Sequence, residues 1–364
     1  MNTSIAIVAF NHRPFLEPCL DALDRSGLDP RTTRLILIDN ASTDGTAAFV
    51  VNGLLSGPPA RTRGGLPVVF IASDANLGFS GGNNLAFSRA IQDGDQFVYL
   101  LNPDTEVEPG FLDAAIAAAE LDPRIAIVQS LVLRHGQPGI VNSYGDALHF
   151  LGFGYSNGDG RSLAEPDVAA RISGVSDLAY ACGTAALVRT AALAEIGCFQ
   201  EELFAYCEDV ELSWRARLAG YRVVLAPASR VQHKYDFYRS TAKFYLLERN
   251  RWLVLLWCYR ARTLALLAPA LLAMELGVWA MAVKDGWWRE KGRACRYLLT
   301  RSQWSRLAAT RRAVQKLRRR RDREITELFA GVINFGPVSP WLLTRVANPA
   351  LSTYWRVARK LLAW

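Results

Sequence analysis

The chain has 364 residues, 51% of them apolar, which suits one large or two medium domains with a sizeable core. Its net charge of +8 is unevenly spread: residues 1–240 hold 18 basic and 27 acidic residues, and residues 241–364 hold 24 and 7, giving −9 and +17. That split suits an acidic catalytic body and a basic tail that meets an anionic surface. The six cysteines form no CxxC pair, which argues against a disulfide framework and for buried thiols in a reducing compartment. Met1 leads directly into a strand pattern, so no signal peptide is expected.

In chain order, "SIAIVAFN" reads as a buried strand running into a loop, and "EPCLDALDRSG" as a helix closed by Gly27. "RLILIDN" is a second buried strand, followed by the turn-rich "ASTDGT" and a helix. "LPVVFIAS" is a third strand, "NNLAFSRAIQDG" a helix, and "QFVYLLN" a fourth strand. Strand and helix alternate from residue 4 to about 120, which predicts βαβ units and a parallel sheet. Ligands of such sheets bind at the carboxyl ends of the strands. "NHR", "DNASTDGT", "SDANLGFSGGN" and "NPDTEV" fall there. From 121 to 240 the pattern loosens, with "GTAALVR" and "YRVVLAP" as strands and "YCEDVELSWRARLAG" as a helix. From about 241 long apolar and basic helices take over, and the domain boundary is placed there.

Asp39 ends a buried strand where a switch-point loop begins. It suits a hydrogen-bond acceptor for a ribose or base edge and equally a helix cap, although Asp44 fits the cap better. "SDANLGFSGGNN" carries three glycines that let backbone approach a ligand, but it is neither a GxGxxG fingerprint nor a P-loop. In "NPDTEV", Pro103 fixes a turn that projects Asp104, one hard oxygen ligand for a cation that also takes phosphate oxygens. Glu208, Asp209 and Glu211 cluster at a helix start, where the helix dipole favours acids and where a general base could also stand. His233 lies 24 positions beyond Asp209 with one strand between, so it could return to the same rim.

"SIAIVAFN", "LILIDNASTDGT", "ANLGFSGGNN", "YLLNPDTEV", "ACGTAALVR" and "CEDVELSWRARLAGY" occur in this order in family 2 glycosyltransferases. The chain is similar to the rhamnosyltransferase-like branch, which builds cell-surface polysaccharide on polyprenyl-linked acceptors. The similarity covers about residues 4–240. It implies an α/β fold of the GT-A type with a mainly parallel central sheet, and inverting transfer from a nucleotide sugar with Mg2+ or Mn2+. By motif position, Asp39 would contact the nucleoside, with Asp74 and Asn76 near the base or ribose. Ala9, Phe10, Asn11, Gly78 and Asn83 would complete the donor side. Asn102 and Asp104 stand at the family's DxD-type metal motif, with an amide replacing its first carboxylate. Asp209 would be the catalytic base with Glu208 beside it, and His233 would complete the metal site. The resemblance points to L-rhamnose from dTDP-rhamnose. UDP-linked hexoses, or an inactive carbohydrate-binding scaffold, are the alternatives.

The tail contains "TLALLAPALLAMELGVWAMAV", Thr263 to Val283, 21 nearly all apolar residues interrupted by Pro269 and Glu275. As a helix it reaches about 31 Å, enough to span a bilayer. Beyond it, residues 284–364 hold 19 basic and 5 acidic residues, which the positive-inside rule opposes exporting. The expectation is therefore a C-terminal α-helical region lying on the cytoplasmic face of the inner membrane, peripheral or monotopic. No nucleic-acid motif is present, and homo-oligomerisation is left open. Residues 1–240 are expected to be the catalytic domain and 241–364 the membrane-associating region. Removing 241–364 should then release the protein from membranes and spare donor hydrolysis.

Overall fold

The structure is a computed structural model and describes residues 2–234, 241–334, 341 and 343–364. The boundary expected at residue 240 falls in 235–240, outside the described residues. Contacts group the chain into two compact units. The first is Met1–Asp146, Ser156–Phe204 and Tyr221–Tyr235; the second is Ala147–Tyr155, Ala205–Gly220 and Asp236–Trp364.

The elements begin β1 (Thr3–Ala9), α1 (Arg13–Arg25), β2 (Thr33–Asp39), α2 (Thr46–Phe49), β3 (Val68–Ala72), α3 (Gly78–Gln92) and β4 (Phe97–Leu101). There follow β5 (Thr105–Val107), α4 (Phe111–Glu120), β6 (Ile125–Arg134), β7 (Val141–Ser143), β8 (Asp146–Leu148), β9 (Gly154–Ser156) and α5 (Pro166–Arg171). Next come β10 (Ser176–Asp177), β11 (Ala185–Arg189), α6 (Thr190–Ile196), α7 (Glu208–Leu218) and β12 (Arg222–His233). The remaining helices are α8 (Lys243–Cys258), α9 (Ala261–Lys284), α10 (Trp288–Leu299), α11 (Arg301–Lys316), α12 (Asp322–Ile325) and α13 (Asn348–Leu361).

The first unit is built on one sheet in the order β10-β12-β6-β11-β4-β1-β2-β3, with β5 beside β12 and β7 beside β6. β1 pairs in parallel with both β2 and β4, and β2 with β3. β11 runs against β4 and β6, and β12 is parallel to β6. Six strands, β12, β6, β4, β1, β2 and β3, therefore point the same way, and the mainly parallel sheet expected from the alternating pattern is present. Their continuous apolar runs are what a sheet covered on both faces requires. Ile5, Ile7, Leu35, Leu37, Tyr99 and Leu101 form the core with Leu16, Leu20 and Leu23 of α1 and Phe111 of α4.

Two features depart from the sequence reading. β6 was not anticipated, because Gln129 and Ser130 interrupt its apolar run. Both are fully buried but bonded: Gln129 accepts from the Cys182 N–H (2.9 Å) and donates to Ser143 Oγ (3.1 Å), and Ser130 Oγ meets Tyr99 Oη and Ser229 Oγ. The glycines of "LGFSGG" are not a free loop: Gly78 opens α3, and Gly81 and Gly82 lie inside it. A Cβ on Gly82 would stand 2.6 Å from Val8 Cγ1, so the glycine lets α3 press onto β1.

The second unit is helical. Trp214 of α7 is fully buried, with its ring edge-on to Tyr259 (4.7 Å) and Phe329 (4.8 Å). Phe150 stacks on Trp355 of α13 at 4.6 Å, and Phe244 on Trp287 at 4.6 Å. Helix α7 thus belongs to the core formed by the C-terminal helices. The expectation that residues 241–364 are dispensable for donor hydrolysis conflicts with this packing, because the helix that carries Asp209 would lose its apolar partners. A second set of contacts is ionic. Glu275 of α9 meets Arg251 (2.5 Å) and Lys291 (2.6 Å), and Glu248 meets the same two bases (3.0 and 2.5 Å).

Candidate functional site

In the first unit the site residues gather at the carboxyl ends of β1, β2, β3 and β4. Asp39 closes β2 in register with Ala9 on one side and Ala72 on the other, two small residues that leave its side chain room. Asp39 is buried; Oδ2 accepts the Ser42 N–H at 3.3 Å and Oδ1 has no hydrogen-bond partner. A buried carboxylate oxygen left unpaired is costly, and a ligand hydroxyl or N–H would relieve it.

The next residue, Asn40, escaped the sequence reading. Its Nδ2 donates to Asn76 Oδ1 (3.1 Å) and the Gly78 carbonyl (3.0 Å), while Oδ1 accepts the Leu77 N–H (3.0 Å). Asn40 thereby fastens the loop before α3 to the end of β2. Gly78 has φ +69°, and a Cβ there would stand 2.3 Å from the Phe204 carbonyl oxygen. Asn11, at φ +57°, ties two further loops: its N–H donates to Ser42 Oγ (3.0 Å) and its Oδ1 accepts the Thr43 N–H (2.8 Å). Phe10, Asn11, Asp74 and Asn76 are exposed at this rim, and Ala9 is buried beneath it. Asn83 is placed differently: it is buried, and its Nδ2 donates to the Phe79 carbonyl of its own helix (2.9 Å).

After β4, the Asn102 carbonyl accepts from Thr105 Oγ1 (2.6 Å), and Asp104 projects from the turn. β5 pairs antiparallel with the end of β12, placing His233 opposite Thr105. This register brings His233 Nε2 to 3.4 Å from Asp104 Oδ1, uniting two residues 129 positions apart. The other ring nitrogen, Nδ1, lies 2.9 Å from Asn142 Oδ1. Asn142 Nδ2 donates to Asp159 Oδ1 (3.2 Å), and Arg134 holds Asp159 with two bonds. Because Asp159 only accepts, the amide oxygen of Asn142 must face the ring, and Nδ1 carries a proton. The other ring nitrogen, Nε2, is thereby turned toward the Asp104 carboxylate. Burial pushes the Asp104 carboxyl up, but the His233 hydrogen bond and charge, with His12 behind, outweigh it and hold the group below the usual range. The donor set, one carboxylate oxygen and one oriented imidazole nitrogen, fits a divalent cation. Among the described residues no group of three or more His, Cys, Asp and Glu side chains gathers.

In the second unit α7 opens with three acids in different states. Glu211 is consumed by a buried bidentate pair with Arg215 (2.9 and 2.7 Å). Glu208 is buried with Oε2 unpartnered; burial, and then the negative charge of Asp209, push its carboxyl well above the usual range. Burial and the neighbouring negative charge both favour the protonated form of Glu208. Asp209 is half-buried, with Oδ1 2.7 Å from the Val210 N–H. Of the three, Asp209 alone is not buried.

A sheet of six co-directed strands with the reversed β11 set among them, acids at the strand ends and a carboxylate–histidine pair beside them is the GT-A nucleotide-sugar transferase fold. The model of "Glycosyl transferase family 2" matches residues 4–197, and the chain belongs to that family and is a glycosyltransferase. The matched segment stops short of Asp209 and His233. An N-acetylglucosaminyl-diphospho-decaprenol L-rhamnosyltransferase of Mycobacterium tuberculosis (strain CDC 1551 / Oshkosh) is 24% identical over 254 residues, 63% of this chain and 75% of that protein. A mannosyltransferase of Pyrobaculum calidifontis, solved with GDP-Man and Mn2+, superposes with a TM-score of 0.51 at 15% identity over 86% of this chain and 85% of its own. GalNAc-T7, solved with UDP, GalNAc and Mn2+, gives 0.53 at 16% identity over 70% of this chain. The match takes in 47% of the GalNAc-T7 chain, about half its length. At these identities the two structures speak for the fold alone.

Proposed function

We propose that the protein is an inverting, metal-dependent glycosyltransferase that moves L-rhamnose from dTDP-rhamnose to a polyprenyl-linked saccharide. The observation that carries this reading is the placement of two polar features along one sheet edge. Asp39 Oδ1 has no hydrogen-bond partner at the end of β2, and beyond the end of β4 Asp104 Oδ1 and His233 Nε2 stand 3.4 Å apart. β2 and β4 flank β1, so their ends stand about 10 Å apart at the usual strand spacing, a span that suits a nucleoside and its diphosphate. Asp104 and His233 would hold Mg2+ or Mn2+, which offsets charge on the departing diphosphate.

Asp209 takes the proton of the acceptor hydroxyl as that oxygen bonds to the anomeric carbon. The bond from that carbon to the diphosphate breaks on the opposite face, so configuration inverts. Burial biases Glu208 toward its protonated form, which leaves Asp209 as the better base of the pair. No covalent nucleophile is needed, and the Cys19 thiol, which burial pushes up to about 12, is unsuited to that role.

The sugar and acceptor rest on the likeness to the Mycobacterium tuberculosis enzyme. The acceptor lies in a membrane, and the second unit suits that location. Leu272, Leu276 and Val283 of α9 are 68%, 75% and 64% exposed along one face, while Glu275 is tied inward to α8 and α10. A helix fastened by a buried ionic contact to charged neighbours is better suited to lie on an anionic cytoplasmic leaflet than to cross it. In this reading residues 1–240 carry the chemistry and residues 241–364 the attachment, with α7 sharing the second core.

The deciding experiment is a screen of dTDP and UDP sugars, with and without Mn2+, for transfer to N-acetylglucosaminyl-diphospho-decaprenol. Metal-dependent transfer of rhamnose is expected, abolished by Asp209→Asn with dTDP binding retained. Near-normal turnover in that variant would remove Asp209 as the base. Transfer of a UDP hexose alone would replace the donor.

A further inference from the structure

The chain enters α7 through an unusual turn. Phe204, Tyr206 and Cys207, none of them glycine, have φ of +64°, +68° and +64°. Left-handed backbone at residues with a Cβ is unfavourable and persists only where surrounding contacts enforce it. The enforcing contact is Asn250 of α8, fully buried, whose Nδ2 donates to the carbonyls of both Ala205 (2.9 Å) and Tyr206 (2.7 Å). The orientation of that amide is fixed: Oδ1 accepts from Arg249 Nε at 2.9 Å, and the Arg249 guanidinium lies over the rings of Tyr245 and Tyr297. Directly after the turn stand Glu208 and Asp209.

We propose that Asn250 is a positioning residue for the transfer reaction: by holding the turn 205–207 it sets where the Asp209 carboxylate stands. The inference rests on Asp209 being the base. It assigns a part in the chemistry to a helix outside the family-matched segment and makes α8 more than an attachment element. Asn250→Asp tests it closely, because the side chain keeps its size and its acceptor for Arg249 but turns an oxygen toward two carbonyls. Asn250→Ser, which keeps a single donor and adds no charge, is the second variant.

The full-length protein is assayed with dTDP-rhamnose and N-acetylglucosaminyl-diphospho-decaprenol, or with the UDP sugar if the screen selects it. Displacing a base by an ångström costs about 100-fold in rate. We expect kcat to fall by about that factor in Asn250→Asp and less in Asn250→Ser, with donor KM and dTDP affinity within threefold of wild type. Adding Cys207→Gly, which accepts a positive φ freely, should restore part of kcat to either variant. A merely structural role for α8 predicts no such rescue.

Folded Asn250 variants with kcat within threefold of wild type would overturn the proposal while leaving Asp209→Asn inactive and the base assignment intact. An active Asp209→Asn would remove both. Loss of the folded state in both Asn250 variants would also overturn it, since Asn250 would then be a residue of the core rather than of the turn.

Discussion

Replacing Glu275 by glutamine removes one charge from a buried quartet without changing its shape. Glu248 and Glu275 face Arg251 and Lys291 through four contacts of 2.5 to 3.0 Å, and Glu248, Arg251 and Lys291 are almost inaccessible. With two acids and two bases the group is neutral; Glu275→Gln leaves one buried positive charge over. Removing one partner of a buried pair costs about 3–5 kcal/mol. The Glu275 side chain is 19% exposed, so water screens part of the change, and about 3 kcal/mol is expected. All ten tryptophans fall at 214 or beyond 241, inside the second unit, so intrinsic fluorescence in a urea titration reports on that unit alone. Glu275→Gln combined with Lys291→Gln restores the balance and should recover about 2 kcal/mol of the loss. A single variant within 0.5 kcal/mol of wild type, or a double variant no better than the single, would refute the view that the quartet is held by charge balance.

Four other outcomes are expected. Gly78→Ala sets a Cβ 2.3 Å from the Phe204 carbonyl oxygen at φ +69°, and calorimetry should find dTDP affinity reduced about tenfold or more. Burial, aided by the Arg251 charge, pushes the His149 imidazole down to about 3, against about 6.5 when unfolded. The folded form binds fewer protons between those values, so stability falls as pH drops through that window, by about 2 kcal/mol between pH 7 and 5. Urea titrations of His149→Gln should lack that component. Calorimetric titration of Mn2+ should give weak binding to the free protein and at least about tenfold tighter binding with dTDP present, the two ligands enhancing each other equally; tight binding to the nucleotide-free protein would count against a site completed by donor phosphates. A chain ending at 240 should be insoluble and inactive in donor hydrolysis, because Trp214 alone loses packing worth about 3–5 kcal/mol.

The four apolar runs that became β1 to β4 were legible because buried parallel strands are continuous and end on polar loops. The residues alone gave Asp104 and His233 as separate hints and the family resemblance put both at one metal site, but the geometry that joins them depends on the pairing of β5 with β12. Residues 222–233 read as a short strand because the ladder with β6 is interrupted between Ala226 and Arg230, beyond which the strand resumes pairing. Asn40, Asn142 and Asn250 were invisible for a common reason. A buried amide that ties loops or orients a histidine has no periodicity, and its role exists only once distant backbone is brought to it. The membership of α7 in the second core was equally hidden, because Trp214 meets Tyr259 and Phe329, 45 and 115 positions away.

With the second unit on a membrane and Asp209 as the base, as proposed, that membership would couple attachment and chemistry through linkage. Any surface that binds the folded second unit stabilises α7 with it, by about 2.7 kcal/mol at a hundredfold excess over the dissociation constant. Anionic lipid would then act as a folding ligand for the helix that bears Asp209. The enzyme should be most resistant to heat on vesicles, and extraction into uncharged detergent should lower the temperature of inactivation before it separates enzyme from acceptor.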